Sequence, residues 1–431
     1  MAHLRETLNA EATSARFRRT ATAFTRQRQL PMSRVALLIM RGHKVSQQTA
    51  LNKVFTELGA ADQVPTSSAY CQARQKLDPA LFGQLNQQIV NDFYTLSRDD
   101  QSLNRWHGHR LVGADGTRLN LPDTSETRRV FSIAVNQHTD DVQATAVVLY
   151  DLGNDWGLAA SLGPVSSEKG PLFQQLWAAT QPGDVLVLDR NFADYELIAR
   201  ALQAGRHVVI RCPHQFKAVK AFWAAPTDDQ VVDLRAPDAA GLREWVHHGV
   251  LPPTLHVRLL KFTLPSGDTE VLLTDLCDPT PYPRAEFFTL YGRRWNQETY
   301  YHRFKHICEV ERWSGPRVLT IQQDFFGVLF LMTLESILTQ SAQHALTQRD
   351  QRRQPHTRAQ VNRAISYVAL LDQVVPLLLD TQVPLDETVA QLQQLFQTNP
   401  TRQRPGRRTS RPEPKDSRRL RYLSDPKRLT A

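Results

Sequence analysis

Tyr291, Arg294, Glu298 and Lys305 stand at steps of three, four and seven within LYGRRWNQETYYHRFKHI, residues 290–307. The stretch has no proline and a single glycine near its start, and it predicts a helix. At about 100° per residue the four positions fall in a stripe only about 60° wide. One carboxylate therefore shares a helix face with two cations and a phenol. A solvated face with Arg294 and Glu298 paired at i,i+4 has this composition. So does a site that handles phosphates. Two further acids bear on the choice. Asp115 follows LVGA and Asp189 follows VLVL, each at the end of a predicted strand. Asp115-Gly116 is also a favoured hairpin dipeptide, and Asp189 a suitable helix cap. Yet sites in open α/β sheets lie beyond strand ends. Three ionised carboxylates converging there would repel one another, and divalent metal is the simplest remedy. Oxygen-only ligation suits Mg²⁺ or Mn²⁺, which take their remaining ligands from water and phosphates.

The elements needed to position these residues are legible in outline. Residues 1–100 read as helical: SRVALLIMRG, QQTALNKVFTELG and PALFGQLNQQIVNDFYTL carry apolar residues at helical spacing. Asp78-Pro79 is a helix start. After Trp106 the pattern changes. HRLVGADGT is a short strand, and ATAVVLYDLGNDWGLAASLG predicts a hairpin about Gly153-Asn154-Asp155. GPLFQQLWAATQ reads as a helix, DVLVLDRNF as a buried strand, ADYELIARALQAG as a helix closed by Gly205, and RHVVIRCP as one more strand. That order predicts an α/β core with mixed strand directions. From Pro213 to Pro283 the helical pattern is lost, and TLHVRLLKFTLPSGDTEVLLTDL predicts a hairpin about residues 265–268. Beyond Val318 the chain reads as helical again.

Composition excludes some classes. The four cysteines, Cys71, Cys212, Cys277 and Cys308, form no CxxC pair, so neither a disulfide framework nor a cysteine-rich zinc site is expected. The N-terminus has no apolar signal core, and the run from Phe325 to Leu334 is too short to span a bilayer. A cytoplasmic, nucleoid-associated protein with no membrane partner is expected. The charge is uneven. Residues 400–431 hold eleven Lys/Arg against three Asp/Glu, which is +8 of the chain's net +9. A basic, Pro-containing tail of this kind is expected to be disordered when free and to contact nucleic acid.

Taken together, these residues resemble the bacterial insertion-sequence transposases with a DDE triad and a YREK signature, the group whose type member is insertion sequence four. The signature is Tyr, two residues, Arg, three residues, Glu, six residues, Lys, and Tyr291, Arg294, Glu298 and Lys305 meet every interval. The aspartates in GADGT and LDRNF precede it in order, and SSAYCQARQKL is similar to that family's N-terminal helical region. The resemblance covers roughly residues 30–340. It implies a ribonuclease H-like mixed-sheet core interrupted by a β-rich insertion, with helical N- and C-terminal regions. It divides the chain into a helical DNA-binding region (1–100), a first part of the core (105–212), the insertion (213–283), a second part with the catalytic helix (284–347), a helical C-terminal region (348–399) and the basic tail (400–431). It implies that Asp115, Asp189 and Glu298 ligate two Mg²⁺ ions, for which Mn²⁺ substitutes. One ion would activate water or a 3′-hydroxyl and the other would stabilise the leaving 3′-oxygen. Tyr291, Arg294 and Lys305 would hold phosphates, and Arg190 and Arg211 sit where the family places DNA-contacting arginines. The implied partners are double-stranded DNA, as terminal inverted repeats and target, and a second copy of the chain in a synaptic complex.

Other candidates are weaker. His302, His306 and Cys308 offer three zinc donors with no fourth at suitable spacing. Trp223 and Trp245 are candidates for holding a flipped base, but neither matches a motif. A ribonuclease H-like nuclease that cuts without joining would carry the same triad. A decayed copy acting as a DNA-binding protein would have lost part of it.

Overall fold

Leu111 to Ala114, buried on both faces, open strand β1 (Leu111–Asn120) and set the centre of the sheet. The computed structural model describes all residues except 27, 43–45, 98–102, 132, 137–138, 166–174, 214–215, 265, 354–356, 380–382 and 404–431. β1 pairs in parallel with β5 (Val185–Leu188), and β5 in parallel with β6 (His207–Arg211). On its other side β1 pairs antiparallel with β3 (Thr139–Asp151), which pairs antiparallel with β4 (Trp156–Pro164). β2 (Ile133–Asn136) adds to β3. The core order is β4-β3-β1-β5-β6, with β3 running against the other four. This is the ribonuclease H-like mixed sheet expected from the sequence.

The stretch between Asp189 and Glu298 adds three antiparallel strands to the edge of β6. β9 (Thr269–Thr274) pairs with β6, β8 (Thr254–Thr263) with β9, and β7 (Asp229–Arg235) with β8. The inserted strands thus extend one nine-stranded sheet. β8 and β9 are consecutive and antiparallel, as the hairpin reading requires, with residue 265 of its expected turn outside the described residues, and the turn at Gly153-Asn154-Asp155 joins β3 to β4.

Side chains alternate across the sheet, so each face has its own core. Val112, Ala114, Leu186, Leu188, Val208 and Ile210 face one core, shared with α8 (Tyr195–Gln203), α9 (Lys217–Ala224) and α10 (Ala240–His247). Leu111, Val185, Val187, Val209 and Leu272 face the other. That side is covered by α11 (Arg284–Gly292), α12 (Trp295–His306) and α13 (Val318–Arg353), and by helices from both ends of the chain. The N-terminal set is α1 (Ala2–Asn9), α2 (Glu11–Phe17), α3 (Met32–Arg41), α4 (Gln47–Glu57), α5 (Ser67–Arg74) and α6 (Ala80–Leu96). A short α7 (Ser125–Phe131) follows β1, and α14 (Arg363–Leu378) and α15 (Leu385–Thr398) close the fold.

α13 holds these helices together. Its 36 residues are long and apolar enough, by composition, to cross a membrane, so the run from Phe325 to Leu334 is the middle of a longer helix than the sequence suggests. Yet 72% of its most apolar window is buried within the protein, as in a central core helix. It runs unbroken across residues 347 and 348. Arg74 of α5 docks on it, with Nη2 2.5 Å from Asp324 Oδ1, while Gln323 donates to the Leu77 carbonyl at 2.8 Å. Residues 400–403 form β11 (Pro400–Gln403), paired with β10 (Arg358–Val361), so the chain there is strand rather than tail. The rest of the expected tail lies outside the described residues.

Candidate active site

The parallel register sets the site. Ala114, Leu188 and Ile210 are Cα partners on β1, β5 and β6, so the next residues, Asp115, Asp189 and Arg211, stand in a row at the ends of this pairing. By alternation all three project from the face that α11 and α12 cover. The hairpin reading of Asp115-Gly116 is wrong. β1 continues to Asn120, with Asp115 opposite Val148 of β3. Pairing with β5 stops at Ala114 but pairing with β3 does not, because β3 is long enough to satisfy the extended backbone. Asp189 does accept a hydrogen bond from Asn191 N at 2.9 Å, capping the short helical turn that follows β5.

The predicted helix of residues 290–307 is two helices. α11 ends at Gly292 and α12 begins at Trp295. Between them, Arg293 N donates to Leu290 O, Arg294 N to Tyr291 O and Gln297 N to Arg294 O, all at 3.0 Å. These are i→i−3 bonds, a 3₁₀ tightening beside a residue of low helix propensity. The overwound turn brings the side chains of Tyr291 and Arg294, three residues apart, toward eclipse. Tyr291 is buried under the Arg294 guanidinium, whose Cζ lies 5.8 Å from the ring centroid.

α12 is pinned directly over Asp115. Gln297 Nε2 donates to the Val148 carbonyl at 2.8 Å. The Tyr301 hydroxyl donates to the Asp115 carbonyl at 2.5 Å and accepts from Val148 N at 3.2 Å. The helix can come this close because residue 113 is glycine: a Cβ there would lie 2.6 Å from Gln297 Oε1. Nothing in the sequence marks Gln297 or Tyr301, since both read as ordinary helix residues.

The charges then meet. Arg294 bridges two acids, Nη1 lying 3.8 Å from Asp115 Oδ2 and Nη2 3.2 Å from Glu298 Oε1. The i,i+4 pair of a solvated face is therefore present, but its arginine also reaches the central strand. Burial pushes the Asp115 carboxyl up to about 6. Its own Gly116 N–H and Arg294 work against that shift, while Asp189 and Glu298 add to it. Asp189 and Glu298 are thus close enough to oppose the ionisation of Asp115. Lys305 is used differently. Its Nζ donates to the Arg118 carbonyl at 2.7 Å, tying α12 to β1 beyond Asp115, and desolvation lowers its pKa against the pull of Glu311.

Arg190 is exposed, directly after Asp189. Arg211 pairs through Nε with Glu270 Oε1 of β9 at 2.8 Å. Glu270 is a buried acid that the sequence reading missed, because its partner lies on a strand far away in the chain. Trp223 and Trp245 pack against the opposite core, Trp245 beneath Arg200, and neither is presented at the acids. Trp295, beside Arg294, is 63% exposed. The His302 and His306 rings lie 4.6 Å apart on α12.

No family model matches the chain. It is similar to the transposase InsG for insertion sequence element IS4 of Escherichia coli (strain K12), 23% identical over 341 residues that cover 76% of this chain and 74% of that protein. It is also similar to the putative transposase InsZ of the same organism, 26% identical over 194 residues, 43% of this chain and 62% of that protein. Among solved structures, the cryo-EM synaptic complex of piggyBac transposase with hairpin DNA aligns with a TM-score of 0.43 and 11% identity, over 81% of this chain and 76% of that one. The sequence similarities support a DNA transposase.

Proposed function

We propose that the chain is a DNA transposase that cuts the ends of an insertion sequence and joins them to target DNA at Asp115, Asp189 and Glu298. The observation that carries this reading is the adjacency of two strand-end aspartates under a helix that brings a third acid, with each raising the Asp115 pKa. The donors are all oxygen, and Asp189 and Glu298 both disfavour the ionised form of Asp115, which suits the added positive charge of Mg²⁺ or Mn²⁺. Two such ions would supply the Lewis acidity for in-line phosphoryl transfer.

The chain's own residues do the rest. Arg294, released from the acids, presents a planar fork to a phosphate oxygen. Tyr291 packs under that guanidinium and fixes its angle. Arg190 and Arg211 flank Asp189 on the side from which a DNA strand would enter. Lys305 acts on the backbone of β1, so its role is to hold α12 rather than to meet a phosphate first. The exposed Trp295 offers a face on which an unpaired base can stack. Residues 12–56 hold nine Lys/Arg and no Asp/Glu, and Arg26, Arg28 and Lys76 line a cleft beside α5, which supports DNA contact by the N-terminal region. Joining two ends requires a synaptic homodimer, working in the cytoplasm at the nucleoid.

The test uses duplex DNA bearing the inverted repeats that flank the coding region, with a target plasmid and Mg²⁺. Cleavage at the repeats followed by strand transfer is the expected result, with both lost in Asp189→Ala. Cleavage without joined product would make the chain a nuclease. Binding without cleavage by the parent chain would make it a DNA-binding protein.

A further inference from the structure

Arg211 presents a problem that the row of strand ends creates. It is the neighbour of Asp189 across the β5–β6 pairing, on the same face. Adjacent strands lie about 4.8 Å apart, within easy reach of an arginine side chain. A guanidinium so placed would pair with Asp189 and occupy the carboxylate that the proposed function assigns to a cation. It does not, because Glu270 holds it at 2.8 Å through Nε. The Glu270 side chain is 8% exposed and that of Arg211 is 41% exposed. Glu270 shares the sheet face of Leu272, which stands opposite Arg211 on β9. Among the described residues the pair with Glu270 is the ion pair that Arg211 makes. The Arg211 side chain, less buried than its partner, still reaches solvent.

We propose that Glu270 is a positioning residue. It draws Arg211 off Asp189, keeping that carboxylate open to a divalent cation and turning the Arg211 fork toward a DNA phosphate. The inserted strands thereby have a part in the chemistry: the acid they contribute sorts the charges at the end of the central strands. A buried carboxylate whose partner is removed is costly, so the pair is also stable enough to resist competition from Asp189.

This inference rests on the proposed function, and the experiment separates the two. Mn²⁺ binding to the full-length protein without DNA is measured by isothermal titration calorimetry, with melting temperature as a check on folding. Glu270→Gln keeps the shape of the side chain. It should weaken Mn²⁺ binding roughly three- to tenfold, the size of a partly screened ion pair that now competes for Asp189. The double variant Glu270→Gln with Arg211→Gln should regain the parent affinity, since no guanidinium is left to compete. Arg211→Gln alone should bind Mn²⁺ at least as tightly as the parent but hold end DNA less tightly. Parent-like Mn²⁺ binding in Glu270→Gln, or a loss that the second substitution fails to restore, would overturn the proposal. A parent chain whose Mn²⁺ binding is unaffected by Asp189→Ala would instead overturn the metal-site reading beneath it.

Discussion

Helix α12 carries an arginine–carboxylate cluster at each end, and the two are built to opposite specifications. At its start, Arg294 reaches Asp115 at 3.8 Å and Glu298 at 3.2 Å, and the Glu298 side chain is 44% exposed. Near its other end, Arg303 sits 2.6 Å from Asp155 Oδ1. Arg363 of α14 bonds the second Asp155 oxygen and reaches Glu335 Oε2 of α13 at 2.9 Å. Asp155 also takes the Tyr150 hydroxyl, and Glu335 takes that of Ser366. The electrostatics follow the geometry. Asp155 is held below the usual carboxylate range, where the pull of its two arginines outweighs burial, whereas Asp115 is pushed up to about 6 by burial and its acidic neighbours. A cluster with every oxygen taken is a staple. A cluster with loose contacts and a surplus of negative charge is free to rearrange, and it is the one to which the proposed function assigns the cations. Placing both on one helix lets the staple fix where the site's acid lies.

The comparison breaks first at the acids. Asp115→Ala, Asp189→Ala and Glu298→Ala should each lower DNA end cleavage by about a thousandfold or more, the scale on which lost metal or charge stabilisation is felt. Their melting temperatures should stay at or above that of the parent. A folded variant that still cleaves in Mg²⁺ would remove its residue from the site. At the other end the effect should be on stability. Arg303→Ala should cost about 2–4 kcal/mol in urea unfolding, because it leaves Asp155 half-paired and Tyr150 without its neighbour. A loss below about 0.5 kcal/mol would mean that the staple holds nothing.

The pH dependence sharpens the contrast. The folded Asp115 pKa, about 6, lies above its ordinary value of 3.8, so the unfolded chain gives up this proton first as pH rises. Metal-free stability should therefore fall between about pH 4 and pH 6, with the full cost present above it. Asp115→Asn should remove that slope and stabilise the metal-free protein by about 1–3 kcal/mol at pH 7.5. Mn²⁺ should reverse the sign, raising the melting temperature at pH 7.5 but not below about pH 5, where a proton occupies the carboxylate. A flat profile in both forms would show that Asp115 is not crowded. The smallest change is Arg294→Lys. It keeps the charge and should cost under about 1 kcal/mol of stability, yet slow strand cleavage about tenfold or more, because a point charge does not replace a bidentate fork. Parent-like cleavage would return Arg294 to a solvated face.

Much of this was legible in the residues. The mixed strand order could be read from the sequence because buried strands such as VLVL and amphipathic helices such as ADYELIARALQAG have local periodicities. Asp115, Asp189 and Glu298 could be picked out as candidates in the same way, because type and spacing are properties of the chain itself. The turn at Gly292 was missed, since a 3₁₀ step costs little and is decided by what the helix must fit. The extent of β1 was misread, since Asp115-Gly116 is a turn only when no partner strand continues, and here β3 does.

What the tertiary structure decided is adjacency. Asp115, Asp189 and Arg211 become neighbours only through the register of three parallel strands joined by long crossovers. Glu270 reaches Arg211 only because the inserted strands extend the same sheet. Gly113 matters only because Gln297 descends onto it. Local propensity fixes which residues form a strand or a helix. It carries no information about which residue of a distant strand stands beside them, because register is set by packing the whole hydrophobic face at once.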